Sequence, residues 1–189
     1  MTVHVTQFAE GLPRRGFTVA EVERMAELGI FEPDEQFELL GGEIVPVSPK
    51  GVRHERIKNW INRELTLAFG REVGVGSDNQ FTLSENTFVL PDVIVYDLEY
   101  DLTNLTAANA LLAIEVSASS LRSDLRRKAE LYAACGVREV WVVEATELTT
   151  FVHKRPSPTG YREITQVPRD RTVEATFIDA SLRFADFEN

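Results

Sequence analysis

Apolar residues recur along this chain at two spacings, one typical of helices and one typical of strands. Three runs have the helical spacing of three or four residues, and they lie within residues 18–28, 52–69 and 123–135. The first run has a clear start signal, because Thr18 and Glu21 form the S/T-x-x-E pattern of a capping box, and Gly29 ends it. We therefore expect three helices with strands and turns between them.

The second helical run carries a histidine on its apolar side. Its apolar stripe consists of Ile57, Trp60, Ile61, Leu65 and Ala68. His54 lies three residues before Ile57 and seven before Ile61, so it faces the same way as the stripe. Two explanations stay open, a partly buried histidine with satisfied hydrogen bonds or a role at a functional site.

Short strand-like runs fill most of the remaining chain. FELLGGEIVPVS has two apolar runs hinged on Gly41 and Gly42, which predicts a hairpin. Residues 71–90 indicate short strands broken by glycines and by the turn-rich sequence SENT. The tail from Leu148 alternates in three runs, which predicts a meander on one edge of a sheet. Residues 1–16 have no periodic signal and are expected to form an N-terminal arm, within which PRRG is typical of a loop or an arm.

The strongest strand signals flank the third helical run. PDVIVYD ends at Asp97, LLAIEVS ends at Ser117, and REVWVVEA begins at Arg138. A strand, a helix and a strand at this spacing form a βαβ unit, whose parallel strands are covered by helices. The predicted fold class is therefore α/β or α+β, with a mixed central sheet flanked by helices and an added antiparallel meander.

Two acids lie on these apolar strands, where a carboxylate has to be paired, protonated or bound to a metal ion. Strand alternation puts Asp92 on the face of Ile94, and Glu115 on the face of Ser117. If the acids share a face, their carboxylates lie about 4 Å apart, where repulsion at an effective dielectric constant of roughly 20 is about 4 kcal/mol. A divalent cation removes that repulsion, and carboxylate oxygens favour Mg²⁺, Mn²⁺ or Ca²⁺.

Lys128 is the candidate cationic side chain beside these acids. The helix after the Glu115 strand has to run back across the sheet, which brings Lys128 within reach of the acids. There its ammonium would position water or offset the charge of a phosphate. The alternative is a surface pair with Asp124, four residues earlier on the same helix.

Length and charge set further bounds. A chain of 189 residues suits one domain with a sizeable core, so a single domain over residues 1–189 is predicted. The chain has neither a signal-like start nor a membrane-length apolar run, which predicts a cytoplasmic protein without membrane contact.

The net charge of -10 argues against general polyanion binding but is compatible with a nuclease that has a local basic face. Two basic clusters are present, Arg53, Arg56 and Lys58 in one, and Arg122, Arg126, Arg127 and Lys128 in the other. Taken alone, both clusters are explained as solvated helix faces.

An ordered set of short motifs resembles a known family. The motifs are FELLGGEIV, RHERI, PDVIVYD, IEVSASS and DLRRKAELYAACGVREVWVVE, in that order over residues 30–155. The set resembles the Uma family of restriction endonucleases, a bacterial branch of the PD-(D/E)XK nuclease superfamily. The resemblance implies a restriction-endonuclease-like core, hydrolysis of DNA phosphodiester bonds, and Mg²⁺ or Mn²⁺ as the cofactor.

The resemblance also implies roles for individual residues. Asp92 matches the PD element, and Glu115 matches the acid of the second strand. The third position of the E-x-K motif is Ser117, so the resemblance leaves the catalytic lysine to Lys128. The backbone carbonyl of Val116 is then a natural third metal ligand.

The remaining expectations concern assistance, substrate and assembly. Glu38 matches an acid that precedes the core in this family, and it is implied to bind metal through water or a second ion. The predicted substrate-binding residues are Arg122, Arg126, Arg127, His54 and Ser117. A homodimer is expected, since cutting both strands of a duplex calls for two sites.

Two other functions stay open. The first is a non-catalytic protein that keeps this fold as a binding or assembly module, which the net charge and the missing E-x-K lysine support. The second is an acidic enzyme that acts on something other than DNA, which only the net charge supports.

Overall fold

The computed structural model describes residues 5–8, 12–47, 49–69, 73–100, 105–117 and 122–187. Within these ranges the helices are α1 (Val19–Glu27), α2 (Val52–Phe69) and α3 (Arg122–Ala134). The strands in the same ranges are β1 (Val5–Phe8), β2 (Leu12–Arg15), β3 (Phe37–Leu40), β4 (Glu43–Pro46), β5 (Val73–Gly76), β6 (Phe81–Ser84), β7 (Thr87–Val89), β8 (Val93–Asp97), β9 (Ala110–Ser117), β10 (Glu139–Glu144), β11 (Thr150–Ser157), β12 (Gly160–Val167), β13 (Thr172–Glu174) and β14 (Ser181–Arg183). A 3-10 helix, Phe184–Asp186, follows β14. None of the described helices is long and apolar enough to cross a membrane.

These elements fall into two compact units. The first unit consists of residues 1–49 and 80–90, and the second of residues 50–79 and 91–189. The chain therefore leaves the first unit after residue 49 and returns to it for β6 and β7. That residues 1–189 form a single domain stays a prediction.

The first unit combines α1 with a four-stranded sheet. Among the described residues its strand order is β4-β3-β7-β6, and every neighbouring pair is antiparallel. The predicted hairpin joins β3 to β4, and its turn residues Gly41 and Gly42 have φ angles of 63° and 89°, which glycine adopts without strain. The predicted capping box is present, because Thr18 and Glu21 each accept a hydrogen bond from the other's backbone N–H. Val19, Val22, Leu39 and Phe88 form a buried core cluster in this unit.

The N-terminal segment differs from its prediction. β1 and β2 pair antiparallel, from Val5 opposite Arg15 to Phe8 opposite Leu12, so the loop alternative for PRRG is wrong, whereas an N-terminal arm over residues 1–16 stays a prediction. The sequences VTQF and LPRR do not alternate apolar and polar residues, so they give no strand signal, and their pairing depends on backbone hydrogen bonds.

The second unit is built on a mixed sheet. In the part of the chain that the structure describes, six strands lie in the order β12-β11-β10-β9-β8-β5. β9 and β10 are parallel and α3 connects them, as the βαβ pattern predicts, whereas the other neighbouring pairs are antiparallel. The predicted fold class, a mixed central sheet with flanking helices and an antiparallel meander, is confirmed.

The helices α2 and α3 cover this sheet. α2 contacts β5, β8 and β9, while α3 contacts β9 to β12. Ile114 and Val116 of β9 belong to the core that α2 covers, whereas Glu115 between them is hydrogen-bonded to Tyr132 of α3. The predicted stripe of α2 is right except at its end, where Ala68 is exposed and Phe69 is buried instead.

The tail follows its prediction only in part. β11 and β12 extend the main sheet at one edge, as the alternation predicts. β13 and β14 pair with each other in a separate sheet of the described residues, so the prediction that the third run joins the meander is wrong. Val173 and Leu182 of these strands lie in the core with α2, which explains their apolar alternation without pairing to the main sheet.

Candidate active site

Asp92 lies just before β8 and is almost wholly buried, with 3% of its side chain exposed. Its Oδ1 accepts a hydrogen bond from Lys50 Nζ at 2.6 Å. Its Oδ2 accepts from the backbone N–H of Val116 at 2.7 Å and lies 3.0 Å from His54 Nε2. Asp92 is therefore connected to β9 and to the start of α2.

The charges at Asp92 stabilise one another. Burial alone would raise the pKa of Asp92, but the hydrogen bond from His54 and the charge of Lys50 outweigh burial and lower this pKa below its ordinary value. Burial alone would lower the pKa of Lys50, but Asp92 and Asp78 raise it above its ordinary value. Lys50 and Asp92 therefore form an ion pair at neutral pH.

A second aspartate, Asp78, extends this network. Its Oδ1 lies 2.7 Å from Lys50 Nζ, and its Oδ2 pairs with Lys58, whose side chain is 8% exposed. Asp78 has a φ of 53°, in the left-handed region that Asp tolerates better than most residues, and its N–H donates to the carbonyl of Pro91 at 3.0 Å. The backbone of Asp78 therefore contacts the residue before Asp92, and its side chain shares Lys50 with Asp92.

Part of this network was not predicted from the sequence. The explanation of Lys58 as a solvated residue is wrong, because Lys58 is buried and pairs with Asp78. Its position between His54 and Ile61, at helical spacing from both, was a signal that it needs a buried acid as a partner. Lys50 and Asp78 lie outside helices and strands, where no periodicity predicts side-chain direction, so the sequence contains no comparable signal for them.

Glu115 lies within β9 and has a separate set of partners. Its side chain is 5% exposed, and Oε1 accepts from Tyr132 Oη at 2.8 Å and from Lys128 Nζ at 3.2 Å. Lys128 thus reaches back from α3 to the Glu115 strand, as its predicted role requires. No site role was predicted for Tyr132 from the sequence, although it lies one helical turn after Lys128 and so on the same side of α3. The side chain of Asp124, the alternative partner of Lys128, lies outside the described residues.

The predicted substrate-binding residues lie in different surroundings. His54 contacts Asp92, and Ser117 is buried beside a cavity of about 400 Å³ that Arg126 also lines. The side chain of Arg126 is 84% exposed and pairs with Glu130 of the same helix at 3.2 Å. Arg127 is exposed. The side chain of Arg122 lies outside the described part of the chain.

Glu38 belongs to the first unit. It is buried on β3, and its Oε1 accepts a hydrogen bond from the backbone N–H of Leu90 at 2.8 Å. This contact connects β3 to the residue that follows β7. The predicted metal-assisting role of Glu38 stays a prediction.

The donors of the second unit fit a hard divalent cation in their chemistry. Asp92 and Glu115 offer carboxylate oxygens, and Val116 offers a backbone carbonyl. No group of three His, Cys, Asp or Glu side chains among the described residues has the arrangement of a metal site. Each acid has its own ammonium partner, Lys50 for Asp92 and Lys128 for Glu115.

Comparisons with known proteins agree with this architecture. A search of curated proteins finds no match. Among solved structures the chain is similar to "a putative nuclease belonging to DUF820 from Anabaena variabilis ATCC 29413", with 16% identity, a TM-score of 0.70, and coverage of 90% of this chain and 97% of that chain. At this identity the likeness shows the fold alone. A family model matches residues 19–185, under the description "Uma2: Putative restriction endonuclease". Because this match spans most of the 189 residues, the chain belongs to the Uma2 family.

Proposed function

We propose that this chain is a metal-dependent endonuclease that hydrolyses phosphodiester bonds of DNA. The observation that carries the proposal is a pair of buried acids at neighbouring strands, Asp92 beside β8 and Glu115 within β9, in a chain of the Uma2 family. The hydrogen bond from the N–H of Val116 to Asp92 holds these two segments together. The ion pairs with lysine would by themselves explain how these two acids can be buried. Membership of the Uma2 family is the reason for assigning them a function.

The proposed roles follow from the contacts of each residue. Asp92 and Glu115 hold Mg²⁺ or Mn²⁺ through carboxylate oxygens, with the carbonyl of Val116 as a further ligand. When bound, the cation polarises the phosphate and lowers the pKa of a bound water. Lys128, whose Nζ lies 3.2 Å from Glu115 Oε1, offsets phosphate charge or orients water. Tyr132 keeps Glu115 in position through its hydroxyl group.

The proposed substrate contacts rest on exposure and charge. Arg126 and Arg127 are exposed on α3 and suit contacts with a phosphate backbone, a role also proposed for Arg122. Ser117, on the strand of Glu115, is proposed to face the scissile region. For His54 the contact with Asp92 supports a different role, which is to orient that carboxylate.

Plasmid nicking tests the proposed function. We expect the wild type to nick supercoiled plasmid in Mg²⁺ or Mn²⁺, and Asp92→Asn and Glu115→Gln to lose activity on the order of a hundredfold, as when a group that stabilises developing charge is removed. Glu163→Gln, at a half-exposed acid on β12, is the matched control and should nick like the wild type. Equal activity of the wild type and the two site variants would contradict the assignment.

A second function is favoured by one observation. Asp92 already has an ammonium partner, and Ser117 stands where the family motif has lysine, so a non-catalytic binding or assembly module also accounts for this site. Calorimetric titration with Mn²⁺ separates the two functions. Absence of binding, or binding that Asp92→Ala leaves unchanged, would favour the module.

A further inference from the structure

The ammonium of Lys50 lies between two aspartates. Nζ is 2.6 Å from Asp92 Oδ1 and 2.7 Å from Asp78 Oδ1, and 21% of the Lys50 side chain is exposed. An ammonium at this distance uses the same lone pairs of a carboxylate oxygen that a hard cation uses. Lys50 therefore has the position and the charge of an ion bound to Asp92.

The two oxygens of Asp92 differ in their availability to an ion. Oδ2 accepts a hydrogen bond from the backbone N–H of Val116 and contacts His54, so its partners are a main-chain group of β9 and a side chain of α2. Oδ1 has Lys50 as its partner among the described residues. A divalent cation on Oδ1 and an ammonium on the same atom would be like charges a few ångströms apart, and like charges at such distances repel strongly. The cation and Lys50 therefore exclude each other at Oδ1.

If Lys50 loses its contact with Asp92, it still has Asp78 as a partner of opposite charge. Asp78 is held in place by its backbone hydrogen bond to Pro91 and by the ion pair with Lys58. An ammonium that leaves Asp92 thus keeps Asp78 at hydrogen-bond distance and does not become a buried, unpaired charge. A buried ion is costly when its partner is removed, and a second partner already in place reduces that cost.

From these contacts we infer that Lys50 is an internal competitor of the divalent cation at Asp92, and that cation binding transfers Lys50 from a shared position to Asp78 alone. This inference rests on the proposed function, because it concerns the same carboxylate. It assigns to Lys50 a role that the E-x-K motif does not contain: Lys50 sets how tightly the cation binds. Lys50 acts through Asp92, so it is a positioning residue and is not assigned to the chemical step.

Metal affinity, measured without substrate, tests the inference. Lys50→Met removes the charge and keeps an unbranched stem, so we expect Mn²⁺ to bind with a dissociation constant lower on the order of tenfold, a typical size for coupling between two ligands. Lys50→Gln keeps a hydrogen-bond donor for Asp92 and should change the affinity in the same direction, which guards against a folding defect of the Met variant. Calorimetric titration of the folded chains gives the dissociation constants.

Lys58→Met is the matched control. Lys58 carries the same charge as Lys50, but within the described part of the chain its ion pairs are with Asp78 and Glu55 and not with Asp92. We expect this variant to change Mn²⁺ affinity clearly less than Lys50→Met does. Tightening of equal size in both variants would mean a general effect of net charge and would overturn the inference.

Two further outcomes separate this inference from the proposed function. If the wild type and both Lys50 variants bind Mn²⁺ equally and Asp92→Ala abolishes binding, the competitor role of Lys50 is overturned and the metal-binding role of Asp92 survives. If none of these chains binds Mn²⁺, the inference and the proposed metal dependence are both overturned.

Discussion

Charge balance at single residues explains why the site of the second unit can be buried. Asp78 and Asp92 alternate with Lys50 and Lys58, and each of these groups contacts at least one partner of opposite charge. Removal of one member of a buried ion pair typically costs about 3–5 kcal/mol, because the other charge is left uncompensated. The activity of any variant that removes a charge from this network should therefore be measured together with its free energy of unfolding, because an unfolded variant also loses activity.

A titratable residue away from this network leads to a pH prediction. Burial lowers the pKa of His153 below its ordinary value of 6.5. The imidazole packs edge-on against the ring of Tyr161, with the two ring centroids 5.5 Å apart. The folded chain then binds this proton less readily than the unfolded chain, so falling pH favours unfolding once it passes below the unfolded pKa. We expect the wild type to lose stability between about pH 7 and pH 5, and His153→Gln to lose less over the same range. Chemical unfolding midpoints measured across this range check the difference, and parallel pH profiles would contradict it.

Residue patterns predicted one part of the site and could not predict the other. Asp92 and Glu115 stood out because alternation gives the direction of a charge on an apolar strand. Lys128 stood out because the helix after the Glu115 strand has to run back across the sheet. Lys50 and Asp78 are 42 and 14 residues from Asp92 in the chain, and their contacts with its segment depend on turns. Turn geometry depends on tertiary contacts such as the bond from Asp78 to Pro91, which no local pattern encodes.

Among the elements, the edge strand β5 depends on close approach to β8. Gly74 of β5 lies opposite Tyr96 of β8, and a Cβ atom added at Gly74 would overlap the aromatic ring of Tyr96. An aromatic side chain that covers a glycine in the neighbouring strand fills the space that the glycine leaves empty. This pair therefore fixes how β5 packs on the sheet.

A double-mutant cycle tests this packing. We expect Gly74→Ala to destabilise the chain by about 1–3 kcal/mol, since overpacking displaces the ring. In the background of Tyr96→Ala the same change meets no ring, so the double variant should lose less stability than the two single losses combined. Denaturant unfolding measures all four chains. Additive losses would mean that Gly74 and Tyr96 do not interact.

The elements also show where sequence patterns reach their limit. Helical spacing predicted α1, α2 and α3, and the βαβ pattern predicted the parallel pair of β9 and β10, because these patterns extend over many residues. The four-residue strands β1 and β2 gave no periodic signal. β13 and β14 alternate as strands do, yet alternation reports only which face is buried and not which strand is the partner.

The whole molecule is acidic, which limits how it can approach DNA. Its net charge of -10 repels a polyanion at long range, but salt screens exposed charges beyond about 10 Å at 0.1 M ionic strength. Under the proposed function, binding would then depend on local groups such as the exposed Arg126 and Arg127 of α3. The predicted cytoplasmic location stays a prediction.

Assembly is a property of the whole molecule that the proposed function makes testable. A homodimer supplies two sites for the two strands of a duplex, and two-fold symmetry is the commonest assembly. We expect light scattering in solution to give about twice the 21.3 kDa mass of one chain. A mass of one chain at the concentrations used for nicking would contradict the dimer.

The order in which the chain builds its two units restricts how function can be mapped by truncation. The first unit takes residues 1–49 and 80–90, and Phe88 of β7 is part of its core. A carboxyl-terminal deletion that reaches residue 87 removes this core residue while the whole N-terminal segment is still present. Such fragments expose Leu39, which Phe88 covers with Val19 and Val22, and exposed cores promote aggregation. The same deletion also removes Asp92, Glu115 and Lys128, so loss of activity would not distinguish a broken first unit from a lost site, and single substitutions are the sounder way to assign roles in this protein.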